Sequence, residues 1–324
     1  MTTRVIRTPL PLLPLFVGFL LALSHGAFGA DVGIPQSPPN IKHLITSALR
    51  GDSDAEFLLG CAYENGNGVS QDYSAALAWY SKAANIGDPR AQNSLGLMYA
   101  NGLGVRVDYQ EALKWYLRAA LEGYESAQNN LGYLYGTGRG VTLDYPEAAK
   151  WYRRAAEKGH PPAQYNLGML TMHGLGVKQS DRDAFRWIEK SAHSGYSPAL
   201  FMAGWMYSHG RGVTQNREKG VEFYRKAAER GWAAAQINLG HAYDMGIDVP
   251  QDYAEARRWF LEAAKQDSPV AEYNLGVMYE HGHGVPKDNV EAAKWFRLAL
   301  THGGANVQKP DSVNESALAQ GPSE

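Results

Sequence analysis

The stretch that decides the fold runs from Ala91 to Val105 and reads AQNSLGLMYANGLGV. Its apolar residues recur at helical spacing, and two glycines then end the pattern, because glycine alone enters left-handed backbone conformations cheaply. The stretch returns along the chain with a fixed period of 36 residues, marked each time by a key glycine. The key glycines are Gly60, Gly96, Gly132, Gly168, Gly204, Gly240 and Gly276. Such a period predicts an all-α solenoid, in which each unit buries its apolar face only against its neighbours.

Each unit reads as a helix, a glycine loop and a second helix. In residues 88–123, Asp108 precedes Glu111 by three residues, which predicts a capping box at the start of the second helix. Trp115 lies on the apolar face of that helix, and Gly123 marks its end. The sequence therefore predicts seven helix-loop-helix repeats, at 52–87, 88–123, 124–159, 160–195, 196–231, 232–267 and 268–303.

The sixth repeat departs from the pattern at two glycine positions. Asp248 stands where the other repeats have a loop glycine, and Asp267 stands where they have the terminal glycine. We therefore expect the sixth repeat, together with the fifth, to be the least regular.

The segments on either side of the repeats differ in character. Residues 31–51 form a proline-containing linker followed by half a repeat, a capping helix that Asn40 begins. Residues 304–324 have no aromatic residue and no periodicity, so we expect a disordered tail.

Residues 1–30 have the order of a secretory signal peptide. Arg4 and Arg7 precede an apolar run, and small residues follow as far as Ala30. The alternative is an uncleaved membrane anchor, but two prolines interrupt the run and it is short for a span of about 20 residues. We expect cleavage, a periplasmic or secreted protein, and no membrane span after the signal is removed.

The composition argues against a nucleic-acid partner and against an internal disulfide. The formal net charge is -2 without a basic run, which argues against nucleic-acid binding. Cys61 is the only cysteine, so no internal disulfide forms and stability must come from helix packing. Other repeats place apolar side chains in its register, so we interpret Cys61 as a small apolar filler.

The repeated residues resemble the Sel-one-like repeat (SLR) family, relatives of the tetratricopeptide repeats. The pattern that carries the resemblance is Ala-Gln-x-x-Leu-Gly-x-Met-Tyr-x-x-Gly-x-Gly-Val, and the seven copies span 52–303. The resemblance implies a right-handed superhelix of helix pairs whose first helices line a concave face. It also implies an exported or envelope-associated adaptor that holds protein partners.

No metal or cofactor site is expected from the sequence. His173, His209 and His281 share one register, but successive repeats lie about 8–10 Å apart, too far for shared ligation. His281-x-His283 lacks further ligands, and we interpret the histidine column as polar residues at helix ends. No zinc-protease or phosphate-loop signature occurs.

An enzyme is the weaker interpretation. Some SLR proteins with disulfide-linked repeats have been associated with penicillin binding and hydrolysis, but those cysteines are missing here. The Ser-x-x-Lys motif of serine β-lactamases is also absent after residue 30. A hydrolase of cell-wall or β-lactam-like substrates stays an alternative, as does a structural subunit that self-associates.

The candidate binding residues lie on the first helices, three before, one after and four after the key glycine. By resemblance to tetratricopeptide grooves, this first-helix face points into the concavity. Its methionine and aromatic side chains are typical of interfaces, although burial against neighbouring repeats is the alternative explanation. The predicted partner-binding residues are Tyr133, Tyr165, Met169, Met172, Phe201, Trp205, His241 and Tyr273.

A recurring asparagine column has a different interpretation. Its members are Asn130, Asn166, Asn238 and Asn274. Because a column that reads a partner should vary, we expect these amides to brace adjacent repeats. Taken together, the sequence predicts a non-catalytic adaptor of the bacterial cell envelope that binds a peptide segment or helix of a protein partner in its concave groove.

Overall fold

A computed structural model describes residues 40–303, and all regular structure in that range is α-helical. The helices are 12 or 13 residues long, apart from the first and last, and short glycine loops separate the helices of each repeat. In chain order they are α1 (Ile41–Ala48), α2 (Ser53–Asn65), α3 (Tyr73–Asn85), α4 (Pro89–Asn101), α5 (Tyr109–Leu121), α6 (Glu125–Thr137), α7 (Tyr145–Glu157), α8 (Pro161–His173), α9 (Asp181–His193), α10 (Ser197–His209), α11 (Arg217–Glu229), α12 (Ala233–Met245), α13 (Tyr253–Ala264), α14 (Pro269–His281) and α15 (Asn289–Gly303).

The predicted capping helix is α1. The side chain of Asn40 accepts a hydrogen bond from the backbone N–H of His43, as expected of an N-cap. The predicted signal peptide (1–30), the first part of the linker (31–39) and the predicted tail (304–324) lie outside the described residues and stay predictions.

The chain divides into two compact units, with the boundary between Ala83 and Ala84. In the first unit, α1 packs against α2, and its buried cluster contains Ala48 and Leu59. In the second unit, the two helices of each repeat pack together, and each repeat packs against the next. The prediction of an all-α solenoid built from seven helical hairpins is confirmed.

The predicted caps are present at the second helices. Asp144 accepts from the backbone N–H of Glu147 at 2.9 Å, and Asp108 accepts from the N–H groups of Gln110 and Glu111. Ser180 does the same for Asp183. These side chains satisfy amides that have no partner inside the helix, and each such cap contributes about 1 kcal/mol.

The key glycines lie where the two helices of a repeat approach most closely. A Cβ atom on Gly132 would lie 2.8 Å from Cδ1 of Tyr152, and one on Gly96 would lie 2.5 Å from Cδ1 of Tyr116. Both tyrosine rings are buried. The ring on the second helix therefore packs directly against bare backbone of the first helix, which explains why this position of the repeat is glycine.

Two columns of side-chain amides link neighbouring repeats in the second unit. Gln128 Nε2 donates to the carbonyl of Ala120 at 3.1 Å, which ties a first helix to the end of the preceding second helix. Asn130 Nδ2 donates to Asn93 Oδ1 at 3.0 Å, and Asn166 repeats this bond to Asn129. The bracing role predicted for Asn130 and Asn166 is confirmed. The glutamine bond recurs at Gln92, Gln164 and Gln236.

The two aspartates that replace glycines keep the glycine backbone conformation. Asp248 has φ 62° and Asp267 has φ 55°, and among residues 40–303 no other non-glycine residue has a positive φ. Aspartate tolerates this left-handed region better than most residues because its short polar side chain bonds locally. The sixth repeat therefore retains the loop geometry of its neighbours.

Glu56 supplies a prediction about stability in the first unit. It occupies the register of the bracing glutamines, is buried, and its Oε2 has no hydrogen-bond partner. Burial raises the pKa of its carboxyl above the ordinary value, with opposition from Lys82. Because the folded pKa is raised, the stabilising contribution of Glu56 is present below the unfolded pKa and is lost as the pH rises through the folded pKa.

We therefore expect Glu56→Gln to raise the free energy of unfolding at pH 7 by about 1 kcal/mol, the order of one buried polar group left unsatisfied. Urea denaturation at pH 7 and at pH 4 measures the effect. The gain should shrink at pH 4, and an equal gain at both pH values would show that the charge of Glu56 is not the cause.

Candidate partner-binding surface

The structure buries four of the eight residues predicted to bind a partner. Tyr165, Met169 and Phe201 are 7–8% exposed, and Met172 is 0% exposed. Neighbouring aromatic rings cover part of this surface: Tyr196 lies 5.8 Å from Tyr165 between ring centroids. Met172 cannot contact a partner in this conformation, because it has no accessible surface. These four side chains therefore serve mainly in packing, both within and between repeats.

His241 and Tyr273 are half-buried near the end of the second unit. Asn274 Nδ2 lies 3.3 Å from His241 Nε2, so His241 joins the bracing column between the sixth and seventh repeats. Burial lowers the pKa of the His241 imidazole, opposed by nearby Asp244. The Tyr273 ring packs against Phe296 at 5.4 Å. Both side chains thus take part in packing as well as in the first-helix face.

Tyr133 is half-buried and has an arginine beside it. Arg139 stands over the Tyr133 ring at 5.6 Å and over the Tyr109 ring at 5.3 Å, and its Nη1 donates to the Tyr109 hydroxyl at 3.1 Å. Burial raises the pKa of the Tyr133 hydroxyl, partly opposed by Arg139. Tyr133 therefore stays a neutral hydrogen-bonding group at neutral pH, with a positive charge next to its ring.

Trp205 has the same arrangement two repeats further on. Arg211 stands over its ring at 5.7 Å, and His209 stacks on it with a centroid distance of 4.7 Å. Arg211 Nε also donates to Asp181 Oδ2 at 3.0 Å, which holds the guanidinium in place. The indole is half-buried, so one part packs on the protein and the rest is accessible.

Two aromatic–arginine pairs, Tyr133 with Arg139 and Trp205 with Arg211, are accessible to a partner. The aromatic residues were predicted and the arginines were missed. The available signal was an arginine between the two loop glycines, six residues after an aromatic residue on the first helix. An arginine next to an aromatic face presents a planar donor group and an apolar platform together, which suits a carboxylate next to an apolar side chain.

The histidine register and Cys61 behave as structural residues. His209 Nδ1 lies 2.8 Å from the carbonyl of Trp205, and His281 Nδ1 lies 3.1 Å from that of Val277, one helical turn back in both cases. The hydroxyl of Tyr80 lies 3.3 Å from the buried Sγ of Cys61. The predicted helix-end role of His209 and His281 is confirmed.

A shallow pocket of about 590 Å³ lies away from the first-helix face, between the end of α9 and helix α11. Its lining includes Lys219, Lys226, Glu222 and Arg230. Lys226 and Glu222 pair with each other at 2.6 Å, so much of its charge is already balanced internally. The pocket contains none of the predicted binding residues.

Comparison with known proteins agrees with this geometry. The Sel1 repeat model matches seven consecutive segments, each beginning one residue after the repeat bounds predicted above. The matched segments are 53–88, 89–124, 125–160, 161–196, 197–232, 233–268 and 269–304. The chain belongs to the Sel1 repeat family. Sel1 repeat proteins are generally scaffolds for protein–protein interaction, and their fold is typically non-catalytic.

Solved Sel1 repeat structures support the assignment. A protective antigen of uropathogenic Escherichia coli with an SLR fold is 37% identical and has a TM-score of 0.69. The match covers 82% of this chain and 57% of the antigen, so this chain spans less than two thirds of that protein. A Sel1 repeat protein from Oxalobacter formigenes is 36% identical with a TM-score of 0.66, over 82% of this chain and 77% of that one. No curated protein matches the chain.

Between residues 40 and 303, every helix is too short or too polar to span a bilayer.

Proposed function

We propose that this protein is an exported, non-catalytic adaptor of the bacterial cell envelope. Its first-helix face would bind an extended segment or helix of a partner protein that carries acidic and apolar side chains. The aromatic–arginine pairs are the observation that supports this proposal most directly. Export rests on the predicted signal peptide.

The spacing of the pairs suggests the length of the segment. The pairs lie in the third and fifth repeats, and neighbouring helices pack about 8–10 Å apart, which separates the pairs by about 16–20 Å. An extended chain rises about 3.3 Å per residue, so about five or six residues bridge this distance. Met169 lies in the intervening repeat with little exposed surface, so an apolar side chain in the middle of the segment fits best.

The charge of the pairs suggests the chemistry of the segment. Arg139 makes no ion pair with any residue between 40 and 303, whereas Arg211 already pairs with Asp181. A carboxylate of the partner would therefore pair with Arg139 without displacing an existing ion pair. The few hot-spot residues of an interface, which are enriched in tryptophan, tyrosine and arginine, cost about 2 kcal/mol or more on truncation, which corresponds to roughly 30-fold in Kd.

A site-specific photo-crosslinking experiment tests the proposal. The photoreactive residue is placed at position 133 or 205, with position 121 as control, because Leu121 is exposed on a second helix. We expect one partner in the envelope fraction to be captured from positions 133 and 205 and not from 121. Equal capture from all three positions would contradict binding at the first-helix face.

A binding measurement with the captured partner tests the chemistry. We expect Tyr133→Ala combined with Trp205→Ala to weaken binding by at least 30-fold, and Arg139→Gln combined with Arg211→Gln to weaken it by at least tenfold. The control Leu121→Ala should bind normally, and circular dichroism checks that every variant keeps its helices. Unchanged affinity in both double variants would refute the assignment of the surface.

Two further measurements separate this proposal from the alternatives. The purified protein should not turn over a chromogenic β-lactam, and turnover that survives purification would favour the hydrolase. Light scattering should give the mass of one chain, whereas concentration-dependent growth would favour a self-associating subunit.

A further inference from the structure

Three side chains meet where the sixth repeat ends and the seventh begins. His302 Nδ1 lies 2.7 Å from Glu272 Oε1, and His302 Nε2 lies 3.8 Å from Asp267 Oδ1. Potential ligand atoms of the three residues all lie within 4.8 Å of one another, and no other group of this kind occurs in residues 40–303.

All three residues depart from the repeat. Glu272 occupies the register of the bracing glutamines, and Asp267 replaces a terminal glycine at φ 55°. No other repeat has a histidine in the register of His302. In the preceding repeat the equivalent pair is two neutral amides, with Gln266 Nε2 donating to Gln236 Oε1 at 2.9 Å. The last repeat has exchanged this neutral contact for an imidazole and two carboxylates.

Glu272 adds a buried carboxyl group to the cluster. It is only 2% exposed, and its Oε2 has no hydrogen-bond partner. The glutamines in its register donate to a backbone carbonyl, which a carboxylate cannot do. A buried carboxylate with one spare oxygen is costly unless a positive charge lies nearby. The corresponding oxygen also has no partner at Glu56, Gln92, Gln128 and Gln164, so what the last repeat adds is a buried negative charge, which a positive charge at this cluster would offset.

The orientation of His302 indicates where the cation binds. The Glu272 carboxylate only accepts hydrogen bonds, so the proton of a neutral His302 lies on Nδ1 and leaves the lone pair of Nε2 facing Asp267. A carboxylate that holds the far nitrogen of a ligating histidine is a common arrangement behind metal ions.

Distances and ligand types favour zinc. Zinc binds histidine nitrogen and carboxylate oxygen at about 2.0–2.2 Å, which places tetrahedral ligands roughly 3.4 Å apart. The 3.8 Å between His302 Nε2 and Asp267 Oδ1 is close to this value, and the exposed Asp267 side chain has room to adjust. Magnesium and calcium prefer sets of oxygen ligands, so an imidazole disfavours them.

We propose that His302 and Asp267 bind a zinc ion on the last repeat, with Glu272 orienting the His302 imidazole. Water completes the coordination, since only two side chains are direct ligands. The bound ion ties the end of the sixth repeat to the end of the second helix of the seventh repeat.

Calorimetric titration of the full chain with zinc chloride at pH 7.5 tests the proposal. We expect one equivalent to bind and the melting temperature to rise with zinc. His302→Gln should abolish both effects. Glu272→Gln should weaken zinc binding by 10–100-fold, the usual consequence of losing an outer partner of a ligand. Both substitutions introduce the residue that another repeat has at the equivalent position, so the fold should be retained.

Two control variants locate the ion. Glu56→Gln makes the same change in a repeat without the histidine and should bind zinc normally. His281→Gln combined with His283→Gln removes the neighbouring histidine pair and should also bind normally. Absence of stoichiometric binding, full binding by His302→Gln, or an equal effect of magnesium chloride would each overturn the proposal.

Discussion

Replacement of Phe260 by alanine should lower the free energy of unfolding by about 3–5 kcal/mol, the range found for buried phenylalanine truncations. Phe260 is 1% exposed and shares a buried cluster with Leu275 and Met278 of the following repeat. Its ring also packs on the bare backbone of Gly240, which has no side chain to fill the space left behind. The truncation therefore removes contacts within one repeat and between two repeats.

Urea denaturation followed by circular dichroism measures this loss. Leu121→Ala is the control, because Leu121 is 67% exposed and its truncation should change stability by less than about 0.5 kcal/mol. A change below 1 kcal/mol for Phe260→Ala would mean that the sixth and seventh repeats contribute little to cooperative unfolding.

The second prediction concerns the sign of a glycine-to-alanine change. Alanine is the better helix former by about 1 kcal/mol, so helix propensity alone favours Gly132→Ala. The new methyl group, however, would lie 2.8 Å from two atoms of the buried Tyr152 ring. Overpacking of this kind costs about 1–3 kcal/mol, so after the propensity gain we expect the variant to be less stable than the parent by up to about 2 kcal/mol.

Gly136, one turn later in the same helix, provides a matched control. A Cβ atom there would lie 3.5 Å from the Cβ of Ala148, an ordinary contact. Gly136→Ala should therefore raise stability by about 0.5–1 kcal/mol. Thermal and urea denaturation of both variants give the comparison. Two changes of the same sign would refute the explanation given for the key glycines.

The repeat architecture was predictable because each local signal agrees with the others. Asp144 and Glu147 indicate a helix start, and the structure has the cap there. The asparagine column was also predictable in its role, since the recurrence of Asn130 and Asn166 implied partners one repeat back. These features depend on spacing within one repeat or between identical positions in adjacent repeats.

Exposure of the first-helix face was harder to predict. Helical periodicity places Tyr165 and Phe201 on one face of their helices, but it does not reveal which rings of a later segment cover them. Tyr196 covers Tyr165, and Tyr224 packs on Phe201 at 5.4 Å. The register of Tyr196 varies from repeat to repeat, whereas the register of Tyr224 is aromatic in six of the seven repeats. Burial of the first-helix face therefore depends on side chains that the period of the first helix alone does not reveal.

The residues of the proposed zinc site and the arginine of the aromatic–arginine pairs were the hardest to predict from the sequence. The sequence predicted no metal site, because each ligand of the proposed zinc site is a single departure within a repeat. Asp267 and His302 are 35 residues apart, and only the packing of the seventh repeat brings them together. Arg139 was likewise hidden, because a loop residue six positions beyond Tyr133 does not share its helical face.

The glutamine and asparagine bonds reach no further than the adjacent repeat, so the number of copies is free to change during evolution. A copy of the third repeat would find every acceptor that its parent has, because Asn129 and the Ala156 carbonyl repeat Asn93 and the Ala120 carbonyl, and a deletion would rejoin equivalent ends. Unequal recombination can therefore lengthen or shorten such a chain without redesign. The first and fifth repeats are exceptions, because Glu56 with Leu58 and Leu200 with Met202 replace both amides and make these repeats poor templates for copying.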